Sequence, residues 1–398
     1  MTSHKSVQPP VAHAGRVTEA DTKLRICFVL PEISALPVGG HQVVINYANR
    51  LAERGYLCTV MMPFFGCVNP WGPPATRALR RGQLIKMLMT RGDVRWAEWH
   101  PDVRLRTPLI AHTWNLPPAD VTVATGWQTA HLVASSGHRS GAKAYLVQSY
   151  ETWQATHNPA IVRDTWRLPM TKIVIARWLL DLADEFGEIS RTHYVPNGVD
   201  LNQFRVVSDI SARNPCAVGM LVHDAELKGT ALGFDALERV RERFNDIDIR
   251  LYGATAPSTP LPAGASYRQN ITGADLRNYF NGLAIFVHPS LIEGWPLPPA
   301  EAMACGAALL TADNPGVLDY ARAEANAVVV PRGSAEALAE GIGSLIANPR
   351  RRIDLAQAAH RDIQSYGMDV AADRFESILR TICDTQRDLG HNVDQRSD

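Results

Sequence analysis

The sequence predicts an α/β protein built from two doubly wound parallel sheets that face each other across a cleft. The chain has 398 residues, more than one ordinary core requires, so two domains are expected. Short apolar strands alternate with helical stretches in both halves. A connector at residues 196–204, with a turn at Asn197-Gly198, separates the two alternations. Ligands of such sheets bind beyond the carboxyl ends of the strands.

The first half begins with the apolar run LRICFVLP at residues 24–31, which predicts a buried strand. The next segment has apolar residues at helical spacing and ends at Gly55, so a helix is expected there. YLCTVMMP, at residues 56–63, predicts a strand again, and this order is typical of a doubly wound sheet. Further strands are predicted at residues 121–125, 144–149, 172–176 and 192–196, with a helix through Ala183 before the last.

The second half repeats the alternation after the connector. Strands are predicted at residues 216–222, 247–253, 284–290, 307–312 and 325–331. Helices are predicted at residues 230–244 and 274–282, from residue 300 onward, and in two terminal stretches before a final amphipathic helix over residues 369–383.

The composition favours a globular protein without a strongly charged partner. Hydrophobic residues make up 46% and charged residues 20% of the chain, and the formal net charge is +0, so nothing indicates nucleic acid. The 6 cysteines form no CxxC pair, which suits a reducing compartment. No apolar run is long enough to span a membrane, and the first twenty residues contain no signal-peptide core. A cytoplasmic protein is therefore expected.

One basic stretch leaves a peripheral membrane contact open. It combines apolar residues with Arg77, Arg80, Arg81, Lys86, Arg91 and Arg95. A solvated helix face is the favoured interpretation, and a contact with the anionic inner face of a membrane is the alternative.

Two glutamates, Glu293 and Glu301, flank a proline-rich loop in HPSLIEGWPLPPAEAMACG, at residues 288–306. Glu293 is expected at the carboxyl end of a strand and Glu301 in the first turn of the next helix, where a carboxylate suits the dipole. Free N–H groups in this loop suit a phosphate, and the prolines stiffen it. Because a carboxylate can accept two hydrogen bonds from a vicinal diol, the pair fits a nucleotide sugar. Alternatively, Glu301 only stabilises its helix and Glu293 is a solvated loop acid.

The stretch PSLIEGWPLPPAEAMACG resembles the E-x7-E signature of the retaining glycosyltransferases of family 4, which have the GT-B fold. PNGVDLNQF is similar to the interdomain linker of that family, and YGMDVAADRFESIL is similar to its closing helix. The resemblance covers nearly the whole chain. It implies two Rossmann-like domains and a retaining, metal-independent transferase.

The resemblance also implies roles for individual residues. Lys228, in the pair Lys228-Gly229, matches the lysine that contacts the donor diphosphate. Glu293 would hold hydroxyls of the donor sugar, and Glu301 would hold the ribose. The other expected donor-binding residues belong to the glycine-rich loop, the phosphate site, the base surroundings and the signature loop: Gly39, Gly40, His223, Gly253, Ile271, Leu276, Gly294, Trp295, Pro296, Leu297 and Pro298.

Two positions depart from the family pattern or match it loosely. Met220 lies near the place where the family usually has an arginine, so either His223 replaces that arginine in part or Lys228 acts alone. His131 is the best match for a first-domain histidine near the sugar, and it is counted with Glu293 and Lys228 as a candidate catalytic residue. Packing or capping of its helix is an equal alternative for His131.

The acceptor side is expected near the end of a first-domain strand. Gln148, Tyr150 and Glu151 lie there, in AYLVQSYETW, a segment that resembles one in rhamnosyltransferase-like members acting on bacterial surface polysaccharides. A solvated loop carboxylate is an equal alternative for Glu151.

The predicted reaction moves a hexose or deoxyhexose from a dTDP-, UDP- or GDP-sugar to a hydroxyl of a glycan, lipid-linked or small-molecule acceptor. No cofactor and no metal are expected, since the sequence has no HExxH, and Asp246-Ile247-Asp248 resembles a turn before a strand. The alternatives are a nucleotide-sugar epimerase or phosphorylase on the same fold, or a non-catalytic scaffold subunit.

The expected domain boundaries follow from these assignments. They are a disordered lead-in at residues 1–22, an acceptor-binding domain at 23–200, a nucleotide-sugar-binding domain at 201–366, a helix crossing back to the first domain at 367–385, and a flexible tail at 386–398.

Overall fold

The computed structural model describes residues 23–34, 36–64, 96–152 and 158–394, with the backbone alone for residues 389–394. Two parallel sheets organise these residues. The predicted lead-in at residues 1–22 and the basic stretch between residues 77 and 95 lie outside the described residues. No helix among the described residues has the length and apolar character needed to cross a membrane.

The first sheet has seven strands among the described residues. They are β1 (Arg25–Val29), β2 (Leu57–Met61), β3 (Arg104–Arg106), β4 (Val121–Ala124), β5 (Ala142–Val147), β6 (Thr171–Val174) and β7 (Thr192–Tyr194). Their order is β3-β2-β1-β4-β5-β6-β7, and every pair is parallel. The accompanying helices are α1 (Gly39–Glu53), α2 (Trp127–Ala134), α3 (Ala160–Trp166) and α4 (Arg177–Glu185).

The second sheet has six strands among the described residues. They are β8 (Ala217–Leu221), β9 (Asp248–Gly253), β10 (Ser266–Gln269), β11 (Ile285–His288), β12 (Ala308–Ala312) and β13 (Ala327–Val330). Their order is β10-β9-β8-β11-β12-β13, again with parallel pairs. The helices are α5 (Thr230–Arg241), α6 (Gly273–Asn281), α7 (Leu297–Ala304), α8 (Ala335–Ala347), α9 (Pro349–Ile363) and α10 (Met368–Asp394).

The predicted fold class, two doubly wound parallel sheets, is confirmed. Both sheets are covered by helices on two faces, which explains why their central strands are near-continuous apolar runs; β4 is buried at every position. The direction of strand addition reverses between β1 and β4 and again between β8 and β11. A crevice opens at the carboxyl ends of strands that flank such a switch point.

Helix α10 follows the second sheet along the chain but packs on the first. Phe375 of α10 stacks on Tyr47 of α1, with ring centroids 4.3 Å apart, and Arg54 donates to the carboxylate of Glu376 at 2.9 Å. The helix continues to Asp394, beyond residue 385, where it was expected to end. The reason is that adding a residue to a formed helix costs little, even after the apolar stripe has ended.

Candidate functional site

Lys228 and Glu293 meet at the carboxyl ends of the neighbouring strands β8 and β11. The Nζ atom of Lys228 lies 2.8 Å from each carboxylate oxygen of Glu293. The Glu293 side chain is 12% exposed and that of Lys228 is 33% exposed. The two charges therefore neutralise each other at the switch point of the second sheet, and a ligand can still reach the lysine.

The Lys-Gly pair is explained by the turn that carries it. Gly229 has φ +67°, between a short 3-10 turn and the start of α5, a conformation that glycine adopts without steric cost. A Cβ atom at residue 229 would lie 2.3 Å from the carbonyl oxygen of Pro289. The N–H of Leu291 donates to the carbonyl of Leu227 at 2.8 Å. The loops after β8 and β11 are therefore joined, and this holds Lys228 beside Glu293.

His288, the last residue of β11, is a site residue that the sequence interpretation missed. Its Nε2 atom lies 3.6 Å from Glu293 Oε1. On the other side of the ring, Nδ1 lies 3.0 Å from Thr311 Oγ1 and 3.4 Å from Asn314 Nδ2. The Oδ1 atom of Asn314 accepts from the N–H of Val317, so the amide NH2 faces the ring. The imidazole Nδ1 is then an acceptor and Nε2 carries the hydrogen that points toward Glu293.

These neighbours decide the charge of Glu293. Burial opposes its ionisation, but the hydrogen of His288 and the positive charge of Lys228 outweigh burial and lower the pKa of Glu293 to about 2. Glu293 is therefore a carboxylate throughout the physiological range. It can accept hydrogen bonds from hydroxyl groups when Lys228 moves to another anion.

Glu301 occupies a different electrostatic environment. It is half-buried in α7, and burial together with the nearby charge of Asp200 raises its pKa to about 8. The prediction that Glu301 lies in the first helical turn is wrong, because α7 begins at Leu297 and Glu301 is in its second turn. Proline fits the first turn of a helix, where its missing N–H would have no partner. Pro298 and Pro299 therefore lie within the first turn of α7, and the helix does not begin after them.

The same prolines limit the anion site predicted at this helix. Pro296, Pro298 and Pro299 have no N–H, so from residue 295 through residue 299 only Trp295 and Leu297 can donate from the main chain. The expected anion site therefore has fewer main-chain donors than an ordinary helix N-terminus, and Lys228 carries correspondingly more of the charge.

The first domain contacts the signature loop, which is the segment between Glu293 and Glu301, through Gln148, which follows β5. Its Nε2 atom donates to the carbonyl of Gly40 at 3.1 Å and to that of Thr125 at 3.3 Å. A Cβ atom at Gly294 would lie 1.9 Å from the carbonyl oxygen of Gln148. Gly39 and Gly40 were expected in a loop, but they form the start of α1. The first turn of α1 and the signature loop are therefore brought together around one glutamine. The amide of Gln148 is engaged with main-chain carbonyls, and its expected role toward an acceptor stays a prediction.

The residues expected near a base lie at the end of β9, after β10 and in α6. Gly253 ends β9, and a Cβ atom there would lie 2.5 Å from the hydroxyl of Tyr267. Ile271 follows β10 and Leu276 lies in α6, both half-buried. Their contact with a nucleotide stays a prediction.

Four further candidates are placed individually by the structure. His131 is exposed in the middle of α2, and His223 is exposed with its Nδ1 atom accepting from the N–H of Ala225. Partial desolvation of the ring, with the charge of Lys228 as a second cause, lowers the pKa of His223. Tyr150 and Glu151 are half-buried beyond β5, and the ring of Tyr150 lies 5.9 Å from that of Phe186. Their roles stay predictions.

Met220 is part of the core and does not line the crevice. It is fully buried in β8, and a Cβ atom at Gly233 would lie 2.2 Å from its sulfur. The side chain therefore points at α5, and the contact that an arginine supplies in the family does not come from this position. No group of three or more metal-ligating side chains occurs within the part of the chain that the structure describes.

A comparison with protein families matches residues 222–362 to the family described as "Glycosyl transferases group 1". Two curated relatives are D-inositol 3-phosphate glycosyltransferases. The protein from Xylanimonas cellulosilytica is 27% identical over 216 residues, covering 48% of this chain and 52% of the relative. D-inositol 3-phosphate glycosyltransferase 1 from Catenulispora acidiphila is 26% identical over 403 residues, covering 89% of this chain and 94% of the relative. The chain thus spans about half of the first relative and nearly all of the second.

Among solved structures, the chain is similar to Anabaena Alr3699/HepE in complex with UDP-glucose. The TM-score is 0.68 at 18% identity, and the match covers 90% of this chain and 100% of the other. At this identity the likeness establishes the fold, which is the GT-B arrangement.

Proposed function

We propose that this chain, whose residues 222–362 match the group 1 glycosyltransferases, is a glycosyltransferase of family 4. It would transfer a sugar from a nucleotide diphosphate sugar to an acceptor hydroxyl and retain the anomeric configuration. The observation that carries the proposal is the Lys228–Glu293 pair at the crevice between β8 and β11. It offers one cation for a diphosphate and one fixed carboxylate for sugar hydroxyls, with the signature loop packed on the first domain at Gln148.

The proposed reaction exchanges one bond at the anomeric carbon for another. The bond from C1 to the diphosphate oxygen breaks while a bond from C1 to the acceptor oxygen forms on the same face. The proton of the acceptor hydroxyl moves to the departing diphosphate. Lys228 stabilises the negative charge that develops on the leaving group, and Glu293 orients the sugar ring. Closure of the crevice excludes water, which would otherwise hydrolyse the donor.

The donor and acceptor classes that we propose are broader than the substrates in the relatives' names. The similar Anabaena structure holds UDP-glucose, so a UDP-hexose is the first donor to test, with dTDP- and GDP-sugars next. The acceptor is a hydroxyl of a glycan, a lipid-linked or a small molecule. Transfer of rhamnose to a bacterial surface polysaccharide is the narrower hypothesis, supported by the segment AYLVQSYETW. We place donor binding in residues 201–366, acceptor binding in residues 23–200, and the enzyme in the cytoplasm.

The test begins with binding, which requires no knowledge of the acceptor. UDP, dTDP and GDP are compared by thermal shift, because a diphosphate that binds the native state raises the melting temperature by mass action. Lys228→Met should weaken the preferred diphosphate by tenfold or more, since hydrogen bonds to charged groups contribute about 1.5–3 kcal/mol. Lys23→Met, an exposed lysine of the first domain, is the matched control. Equal affinity of both variants would remove Lys228 from the phosphate site.

Turnover then separates the proposal from its alternatives. A transferase should hydrolyse the preferred sugar nucleotide only slowly until an acceptor alcohol is added, and Glu293→Gln should abolish the acceptor-dependent rate. Rapid donor turnover without acceptor would indicate an epimerase or phosphorylase. Tight binding without turnover on any acceptor in a polyol, glycan and lipid-linked panel would favour a scaffold subunit.

A further inference from the structure

Three successive carbonyl groups of the signature loop are each held by a side chain from a different part of the fold. The indole Nε1 of Trp178 donates to the carbonyl of Gly294 at 3.1 Å. The side-chain amide of Asn197 donates to the carbonyl of Trp295 at 3.3 Å. The hydroxyl of Tyr320 donates to the carbonyl of Pro296 at 2.7 Å. The loop between the two glutamates is therefore fixed through its oxygens.

Fixing a carbonyl also fixes the N–H of the same peptide unit. No peptide bond among the described residues is cis, and in a planar trans unit the N–H points opposite to the C=O. The hydrogen bond from Trp178 to the Gly294 carbonyl therefore directs the N–H of Trp295 the other way. The bond from Tyr320 to the Pro296 carbonyl does the same for the N–H of Leu297. These are the two main-chain donors that remain between residues 295 and 299, because the other three residues are prolines.

Trp178 differs from the other anchors because it belongs to the first domain. It is the second residue of α4, and the residue before it, Arg177, donates its N–H to the carboxylate of Asp319 at 3.2 Å. The first turn of α4 is thus attached to the second domain at two points. Its contact with Gly294 exists only while the two halves are docked as they are here.

We propose that Trp178 is a positioning residue that aims the main-chain donors of the signature loop at the donor diphosphate, so that the grip on the donor depends on contact between the two domains. The inference rests on the proposed function. Asn197 and Tyr320 hold the same loop from the connector and from the second domain. In this proposal Trp178 acts through its hydrogen bond to the loop and not through contact with the reacting atoms.

The decisive variant is Trp178→Phe, which keeps an aromatic ring in place and removes the N–H. Its matched control is Trp114→Phe, a tryptophan of the first domain that is 73% exposed. Isothermal titration measures affinity for UDP, dTDP and GDP, and circular dichroism measures the melting temperature without ligand. Loss of one hydrogen bond should raise the dissociation constant of the diphosphate that the wild type prefers about three- to tenfold. Trp114→Phe should stay within twofold.

Tyr320→Phe provides a second variant within the same loop. It removes only the hydroxyl that holds the Pro296 carbonyl, and it should weaken diphosphate binding in the same range if orientation of the loop is what matters. The ligand-free melting temperature identifies a merely structural role, which would lower it and leave the affinity of the folded protein unchanged.

The outcomes are distinct for the two proposals. If the wild type binds a diphosphate and Trp178→Phe binds it equally well, the positioning role is wrong and the proposed function stands. If Trp178→Phe does not fold, unchanged affinity in Tyr320→Phe overturns the inference. If the wild type binds none of the three diphosphates, the proposed function and the inference built on it both fall.

Discussion

The two glutamates of the signature have opposite electrostatic character, although their spacing in the sequence presents them as a matched pair. Glu293 is held as a carboxylate by His288 and Lys228, and its pKa falls to about 2. No such cation lies beside Glu301 among the residues that the structure describes, and burial raises its pKa to about 8. Near neutral pH, one acid is therefore ionised and the other is mostly protonated before a ligand binds.

This difference predicts proton release when the nucleotide binds. If Glu301 accepts two hydrogen bonds from a ribose diol, the ligand stabilises its ionised form and lowers its raised pKa. Calorimetry at pH 7 in PIPES and in Tris should therefore show release of a fraction of a proton per bound diphosphate. Glu301→Gln should remove this release. Equal proton release in both proteins would exclude Glu301 as its source.

The same carboxyl group predicts the pH dependence of stability. Since the pKa of Glu301 is higher in the folded chain than its ordinary value of about 4.3, the native state binds more protons than the unfolded state between that value and about 8. Glu301 therefore lowers the free energy of unfolding as pH rises through this window.

The comparison of Glu301→Gln with wild type tests whether Glu301 lowers the free energy of unfolding as pH rises. The melting temperature of the variant minus that of the wild type should be more positive at pH 8.5 than at pH 5. Glu340→Gln, an exposed glutamate of α8, is the control and should show no such trend. A constant difference between Glu301→Gln and wild type across this range would contradict the raised pKa.

At the scale of single elements, the turn before α5 combines two demands on one glycine. Gly229 has φ +67°, and a Cβ atom there would meet the Pro289 carbonyl at 2.3 Å. Gly187, which follows α4, has φ +72° but open space around the same position. The two glycines share the backbone requirement and differ in the steric one, so they form a matched pair.

Replacing each glycine singly by alanine separates the cost of the backbone conformation from the cost of the steric clash. Gly187→Ala should lower the free energy of unfolding by about 1–2 kcal/mol, the cost of a left-handed conformation for a residue with a side chain. Gly229→Ala should cost about 1–3 kcal/mol more, because the clash is with main-chain atoms that cannot rotate away. Urea denaturation measures both. Equal decreases in the free energy of unfolding would show that the loop after β11 can move to accommodate the added Cβ atom. The position of Lys228 would then be less constrained by this loop.

The elements that sequence patterns predicted are those with strong apolar periodicity. The buried strands and the helix α1 were expected close to where they occur. Strands β3 and β10 were not, since RLR and SYRQ lie mostly exposed at sheet edges and carry no apolar pattern. The start of α7 was placed three residues late, because proline was interpreted as loop chemistry although it also fits a first helical turn.

At the scale of the whole molecule, some site residues can be predicted from their spacing in the sequence. Others come together only through the packing of the two halves. Lys228 and Glu293 belong to a recognisable signature and do lie together. His288 stood in the same quoted stretch, but its value depends on Asn314, which lies beyond the next strand. Trp178 could not be predicted, because its partner, Gly294, is 116 residues away in sequence and in the other half.

Asp319 of the second domain is one of the residues that join the two halves. Its carboxylate accepts from the N–H of Arg177 at 3.2 Å and from the hydroxyl of Tyr194 at 2.8 Å. It therefore caps helix α4 of the first domain from outside that domain. The hydroxyl of Tyr366 donates to the main-chain carbonyl of the same aspartate at 2.7 Å. Burial raises the pKa of Asp319 in spite of these donors.

Asp319→Ala should therefore separate the halves more than it disturbs either one. Loss of the cap and of the Tyr194 partner should cost about 1–3 kcal/mol of the free energy of unfolding. Faster hydrogen exchange should be confined to the first turn of α4 and the signature loop, and the radius of gyration should increase. Asp235→Ala, which removes an exposed pair with Arg239 in α5, should change stability by less than about 0.5 kcal/mol. Exchange that rises uniformly over both sheets would instead show that Asp319 serves general stability, and the dependence of donor binding on domain contact would lose its structural basis.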